Sequence, residues 1–564
     1  MIPKIIFENK EVVATPANFK QGTLSPPIQA LIDKYQTSLK HQKFGEVSKI
    51  HVDEIASRVA FFYERIIKII DWKEENLLRR NAIERFLKRR LITEISKINI
   101  ISSIKASTIS ESLIHESIRG GHLPNDEIDQ EKIIIVQQII EKYLYIIKNA
   151  PFNNSLTFVF KKKVNFYNWI LEIAACEIED VLSPPIKENA LMESMAELMN
   201  ERIRLNPVNT ISENEKYIQV YIAVHRTLFD LDDAIIGYHL LLKKYPFWAY
   251  PTGSTLKEIT QNILLIWTSV NQDLSHPMAK NFFNICEKTD TAFTVFGDVL
   301  DYFQEQPEKI NEEILDKQNA KELVTKFYDK RLNTLKSRLL KLAVFSTLSV
   351  FVSNWFSFFV VEVPLAHLFY QGFSLSAVAF DFLIPSVVMF ILVSIIKPPP
   401  RSNLDKVIKQ FNQFVYLDEE KDIYEINLNR KKRPFTNFII ILLYITTCLA
   451  TFSGIGWIFY IVKIPITSVV LDTIGIALNV FAAMVIRNKA REITVEEKSN
   501  FGEFILDILF LPIAEIGSWL ASKWKEYNVV SVFFNIMIET PFLNFIDFIE
   551  NWRQFLKEKK ADIH

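Results

Sequence analysis

From about residue 26 to residue 338, apolar side chains recur at three- and four-residue spacing with almost no strict alternation, which is the pattern of amphipathic helices. The stripe Ile55, Val59, Phe62, Ile66, Ile69 and Ile70, opened by Asp53 as a cap, is one such face. Helix-breaking clusters fall at Gly120-Gly121 with Pro124, at Asn149-Ala150-Pro151, at Ser183-Pro184-Pro185, at Asn206-Pro207, at Tyr250-Pro251 with Gly253, at His276-Pro277 and at Gln306-Pro307. This punctuation predicts roughly ten helices with short connections. No period repeats, so an antiparallel bundle or an irregular solenoid fits better than a named repeat.

Near residue 338 the pattern changes. Four apolar segments follow, at about 339–361, 374–396, 436–462 and 464–486, in two close pairs that predict two helical hairpins. Each is long enough to cross a hydrocarbon core of about 30 Å, which takes about 20 residues. Lys326, Lys330, Arg331, Lys336, Arg338 and Lys341 crowd the entry to the first segment, and the helix preceding it, from Glu308, is expected to run straight in. The loop 397–435 carries Lys397, Arg401, Lys406, Lys409, Lys421 and the run Arg430-Lys431-Lys432-Arg433, and Arg487, Lys489 and Arg491 follow the fourth segment. The turn 362–373 has no Lys or Arg and the tight turn at Lys463 has one. The positive-inside rule then predicts a multi-pass protein of the cell membrane with both termini and the middle loop in the cytoplasm. Glu8 interrupts the N-terminal run and no small-residue cleavage site follows, so no signal peptide is expected.

Beyond Arg491, Thr494 and Glu497 have capping-box spacing ahead of an apolar stretch at 501–524. Glu503, Asp507, Glu515 and Lys523 interrupt it, and an acid at a membrane helix centre costs about 2.5–3.5 kcal/mol. The stretch is therefore expected to lie along the inner interface, with Trp519 and Trp524 at headgroup level, followed by the amphipathic run Phe542, Phe545, Ile546, Phe548, Ile549, Trp552 and Phe555. The alternative is a helical hairpin packed on the soluble domain. The fold class is thus all-α: a large helical cytosolic domain at 1–335, a transmembrane domain at 336–492, and amphipathic interfacial helices at 493–564.

Composition narrows the function. Of 564 residues 49% are hydrophobic, an excess concentrated after residue 338; 65 Lys and Arg against 66 Asp and Glu leave no global field for nucleic acid. Cys176, Cys286 and Cys448 are few, distant and odd in number, which points to a reducing compartment without disulfides. Only 13 glycines make phosphate loops scarce, and there is no Walker A, Gly-x-Gly-x-x-Gly, Gly-x-Ser-x-Gly, His-Glu-x-x-His or Cys-x-x-Cys. No cofactor or metal is expected, and an enzymatic role has no motif behind it.

The candidate chemistry lies in charged residues at unusual places. Asp381 and Asp472 fall seven and eight residues past the outer starts of the second and fourth segments, so both sit about 10–12 Å deep and could face each other. Pro385 has no N–H for the carbonyl of residue 381, which leaves a free acceptor at the depth of Asp381, and Asn479 shares a helix face with Asp472. Together they form a candidate proton or cation site. The stripes Ser346, Ser349, Ser353, Ser357 and Thr447, Thr451, Gly454 read either as a polar path or as tight packing with hydroxyls bonded to backbone. Arg79, Arg80, Arg85, Lys88, Arg89 and Arg90, against the single Glu84, make a basic helix. It could touch anionic lipid or nucleic acid, but no aromatics interleave the charges, and a solvated face paired with the acids of 71–75 is preferred. His225, Asp232 and His239 recur at seven-residue spacing, about 10 Å per step on one helix, too far to share a metal; polar inter-helix contacts are expected.

The run Ile474-Gly475-Ile476-Ala477-Leu478-Asn479-Val480-Phe481-Ala482-Ala483 followed by Arg487, after paired apolar segments and a long helical region, resembles bacterial multi-pass proteins catalogued as site-specific recombinases. The likeness covers about the last third of the chain, includes no recombinase-type catalytic arrangement, and transfers no residue role. The leading expectation is a membrane-anchored scaffold or interaction protein whose partners are the lipid bilayer and another protein or a second copy. A proton- or small-cation-coupled transporter or channel is the alternative.

Overall fold

The structure, a computed structural model, describes residues 23–41, 49–51, 75–95, 105–152, 158–208, 210–364, 375–428, 434–462, 466–495 and 501–526, with isolated positions at 548, 552 and 555. The Ile55 stripe and most of the Phe542 to Phe555 run lie outside the described residues. The chain is mostly helical, as the spacing predicts. The N-terminal region holds α1 (Pro26–His41), α2 (Glu75–Ile95), α3 (Ala106–Arg119), α4 (Glu131–Asn149), α5 (Phe158–Leu182), α6 (Ile186–Arg202), the strand β1 (Ile203–Asn206), α7 (Glu213–Leu228), α8 (Asp233–Lys244), α9 (Gly253–Leu274), α10 (Ala279–Cys286), α11 (Asp290–Tyr302) and α12 (Lys309–Leu315). The breaks fall where Pro and Gly predict them, and Gly121, with φ of 73°, supplies the left-handed residue after α3. Ser212, Asp232 and Thr252 cap α7, α8 and α9 through side-chain oxygens that accept N–H bonds.

α13 (Lys317–Ser357) is the hinge of the architecture. It starts at Asp316, whose carboxylate accepts from the amides of Gln318 at 2.8 Å and Asn319, rather than at Glu308, and then runs unbroken for 41 residues, about 62 Å. Its first half presents a buried stripe of Ala320, Val324, Phe327, Tyr328, Leu332, Leu335 and Leu339 to the helical domain. From Leu340 the rule inverts: Leu340, Val344, Phe345, Leu348, Phe351, Val352, Trp355 and Phe356 all point outward. The helix ends in a π turn, Phe358–Glu362. Two helical stretches among the described residues, Lys317–Val360 and Ile441–Ile461, are long and apolar enough to cross a membrane.

The remaining elements are α14 (Leu375–Ser394), α15 (Ser402–Val415), β2 (Tyr424–Asn427), α16 (Pro434–Val462), α17 (Ile466–Ala490) and α18 (Phe501–Glu526). α13 packs on α14, as a first hairpin requires, and α14 packs on α17. The second pair differs from the expected hairpin. α18 packs against both α16 and α17, with Phe459, Ile476, Ala477, Val480, Ile513 and Ala514 forming a small core among the three helices. A Cβ at Gly517 would lie 2.1 Å from the carbonyl oxygen of Ala477, so glycine lets α18 cross α17 backbone to backbone. Thr451 Oγ1 donates to the Leu509 carbonyl at 3.1 Å, and Tyr444 donates to Glu515. The stretch expected along an interface or on the soluble domain packs against α16 and α17.

The segment 397–435, expected as a polar connecting loop, contributes to the core of the helical domain. Val407, Phe411, Phe414, Val415 and Tyr416 are buried, with Phe411 and Phe414 ringed against Phe296 and Phe293 at 5.8 and 4.8 Å between centroids. β2 pairs in parallel with β1, Ile203 opposite Tyr424 through Asn206 opposite Asn427, which makes a two-stranded sheet that the all-helical pattern did not predict. Ser25 donates through its amide to the Val415 carbonyl and through its hydroxyl to the Phe414 carbonyl, both at 2.7 Å. Residues after α17 return to the same place: Asn403 donates to the Ile493 carbonyl at 2.6 Å and accepts from the Val495 amide at 2.9 Å. The helical domain is thus assembled from three stretches of chain separated by apolar helices.

Candidate functional site

Asp381 lies on α14 and Asp472 on α17. These two helices pack on each other, but both acid side chains fall outside the described residues, and whether they face each other is not part of the described geometry. Helix α14 continues through Pro385, which is buried, so the carbonyl of residue 381 loses its usual amide donor. Asn479 is 8% exposed, and its Nδ2 has no hydrogen-bond partner among the described residues. The hydroxyls follow the packing reading where they are described: Ser346 and Thr347 donate to the Ala343 carbonyl, Thr447 to that of Tyr444, and Thr451 reaches α18.

The basic helix α2 turns most of its charge inward. Arg79 and Arg80 are buried. Arg79 Nε donates to Glu179 at 3.1 Å, and Arg80 donates to Glu84 at 2.5 Å and to Asp232. Lys88 bridges Glu84 at 2.6 Å and Glu172 at 3.2 Å, Arg89 pairs with Glu116, and Arg90 lies over the Phe86 ring at 5.7 Å. Arg85 is half-buried. Contact with lipid or nucleic acid is therefore closed to Arg79 and Arg80 by burial, and for these two the preferred alternative of a solvated face is corrected as well, whereas Arg89 and Arg90 are exposed. The cations serve α3, α5 and the α7–α8 corner. Apart from Glu84, one turn away, the partners lie 27 to 152 positions off, which is why the sequence pattern did not show them.

The acids of α5 supply those partners and a second network that no pattern announced. Glu177, buried, accepts from Lys142 and from the Tyr143 hydroxyl at 2.6 Å; Trp248 Nε1 donates to the same hydroxyl at 3.1 Å, and Lys142 also donates to the Trp248 carbonyl at 2.9 Å. Burial pushes Lys142 down and Glu177 up, the direction expected when two charges leave water together. Burial likewise raises Glu179 to about 7, against the opposing pull of Arg79. Acids at 172, 177, 179 and 180 on one helix were the available signal, since solvated helix faces rarely mix them with Ile173, Ala174, Ala175 and Ile178, all buried.

His225, Asp232 and His239 do not share one helix. The chain breaks between α7 and α8; Asp232 caps α8, and the antiparallel turn brings the His225 and His239 rings edge to face at 5.2 Å between centroids. His225 Nδ1 bonds the Tyr221 carbonyl at 2.8 Å, while His239 Nδ1 is shielded and has no partner among the described residues. Burial holds His225 well below its ordinary range and His239 down to about 4, so both rings are neutral near pH 7. Among the described residues no group of three or more His, Cys, Asp or Glu side chains is placed to hold a metal ion.

No protein family, curated protein or solved structure matches this chain. Function therefore has to be argued from the chain's own physics.

Proposed function

We propose that this is a multi-pass protein of the cell membrane, with both ends on the cytoplasmic side. In this reading the helical domain is an interaction scaffold that binds a protein partner or a second copy and is clamped onto the membrane helices. The carrying observation is the weave of the domain: α15 and β2, from the connection between α14 and α16, and residues 488–495, after α17, enter its core at two separate points of the chain. That requires those connections and the N-terminal region to lie on one side, the side the Lys and Arg distribution assigns to the cytoplasm. A domain attached at several points cannot swing freely, which suits a rigid platform better than a tethered catalyst. Exposed Val208, Phe247 and Tyr250 give it apolar contact points. Photo-crosslinkers placed at Phe247 and Tyr250 of the full chain in native membranes should trap a partner or a second copy; adducts at neither position would contradict this reading.

A proton- or cation-coupled transporter is the second reading, favoured by the packing of the two acid-bearing helices and by the buried Asn479 amide, which has no partner among the described residues. Flux into reconstituted vesicles that disappears with Asp381→Asn and Asp472→Asn would establish it in place of the scaffold.

A further inference from the structure

We propose that the groove between α13 and α14 holds one anionic glycerophospholipid of the cytoplasmic leaflet, its acyl chain lying in the groove and its phosphate on Lys336. The inference rests on the membrane reading above. The groove encloses about 790 Å³, within the usual range of ligand sites, and is apolar along its length, with Leu340, Val344 and Phe351 on α13 facing Phe390 and Ile396 from the α14 side. Leu340, Val344 and Phe351 recur at helical spacing, as do Ser386, Phe390 and Val393 on α14, so one face of each helix builds a wall, and Ile396 lies just past the end of α14.

Its dimensions fit a lipid leaflet. Lys336 and Phe351, both lining residues, are 15 positions apart, about 22 Å along the helix, close to half of a bilayer counted with its headgroups, about 20–22 Å. Charge is confined to one end. Lys336 lines that end, and Lys397 sits between two lining residues, Ile396 and Pro398. Lys336, Lys341, Lys397 and Arg401 are all exposed, and none has an acidic partner among the described residues, in contrast to the paired cations of α2. A cationic rim over an apolar slot one leaflet deep is complementary to a headgroup phosphate followed by a chain. A zwitterionic lipid would fill the slot equally well, but its own cation would offset the attraction at the rim.

The test uses the full chain, purified in mild detergent and stripped of lipid, then given chain-matched phosphatidylglycerol and phosphatidylcholine in equal amounts, with bound lipid counted by native mass spectrometry. Wild type should keep one phosphatidylglycerol per chain with a several-fold preference. Lys336→Gln, a change at an exposed side chain, should bring the preference near unity, and Ala343→Trp, which fills the groove, should abolish retention. Unchanged count and preference in both variants, equal retention of the two lipids by wild type, or a second copy of the chain in place of lipid would each overturn the proposal. Carbonate extraction of the chain from its native membrane would instead overturn the membrane reading, and the lipid site with it.

Discussion

The two halves of α13 obey opposite rules, and the helical domain and the apolar block extend that opposition to the whole molecule. Up to Leu339 apolar side chains turn inward and the domain even buries charge, in Arg79–Glu179 and Lys142–Glu177. Past Leu339 the second half of α13 and most of α16 turn large apolar side chains outward, with Leu449 64% and Trp457 66% exposed on α16. In the membrane reading proposed above, one surface is made for water and the other for an apolar solvent, and the same residue type has opposite value on each. In the first region buried ion pairs offset their desolvation through mutual attraction and added hydrogen bonds, as Lys142 and Glu177 do with Tyr143 and the Trp248 carbonyl.

The comparison breaks most sharply at Lys142. Lys142→Met leaves the buried Glu177 carboxylate with only the Tyr143 hydroxyl, and should cost about 3–5 kcal/mol in urea unfolding followed by Trp fluorescence. Adding Glu177→Leu should restore most of that loss, since two apolar groups replace the pair. A single change costing under about 1 kcal/mol would mean the network is not part of the packed core.

A matched pair of surface changes probes the outward faces directly. Leu265 on α9 and Leu449 on α16 are 61% and 64% exposed, nearly equal. Leu265→Lys should shift stability by no more than about 0.5 kcal/mol, as for ordinary surface positions. Leu449→Lys should cost about 2.5–3.5 kcal/mol of membrane insertion, read as the inserted fraction during synthesis into microsomes. Equal tolerance at both sites would erase the distinction.

The smallest expected effect concerns pH. His239 has a folded value of about 4 against about 6.5 unfolded, so the unfolded chain takes up the proton first. Its neutral form is fully compatible with the fold above pH 6.5, and stability is lost as pH falls towards 4, by about 2 kcal/mol at pH 5. His225 acts in the same direction. His239→Leu should flatten part of this acid limb in thermal unfolding measured from pH 7.5 to 5, and an unchanged slope would refute the buried neutral pair.

Much of this architecture was legible in the sequence. Helical spacing gave the domain's class, Pro and Gly its breaks, and the run of apolar residues after Leu339 the start of the block. Spacing is a local property, and the features that escaped it are long-range. Ser402–Val415 carries its own amphipathic stripe, Leu404, Val407, Ile408, Phe411 and Phe414, but its partners Phe293, Phe296 and Arg202 lie a hundred or more positions earlier. Glu515 on α18 reads as an interruption of a span until Tyr444 is seen opposite it, and nothing in the sequence marks Gly517 as the point where α18 meets the Ala477 backbone. Of the candidate site, the depth of Asp381 and Asp472 could be counted along the helices, and the packing of α14 on α17 could not.

The central claim is that chain segments separated by apolar helices join in one domain on one side of a membrane. It is tested most directly by a disulfide across the strand pair. Arg204 and Glu425 are exposed register partners, one before the first apolar helix and one between the second and third. With Cys176, Cys286 and Cys448 replaced by Ala, Arg204→Cys together with Glu425→Cys should cross-link on mild oxidation in intact membranes, in a protein that resists carbonate extraction. Failure to cross-link in the membrane-bound chain, or recovery of a cross-linked chain in the soluble fraction, would contradict it.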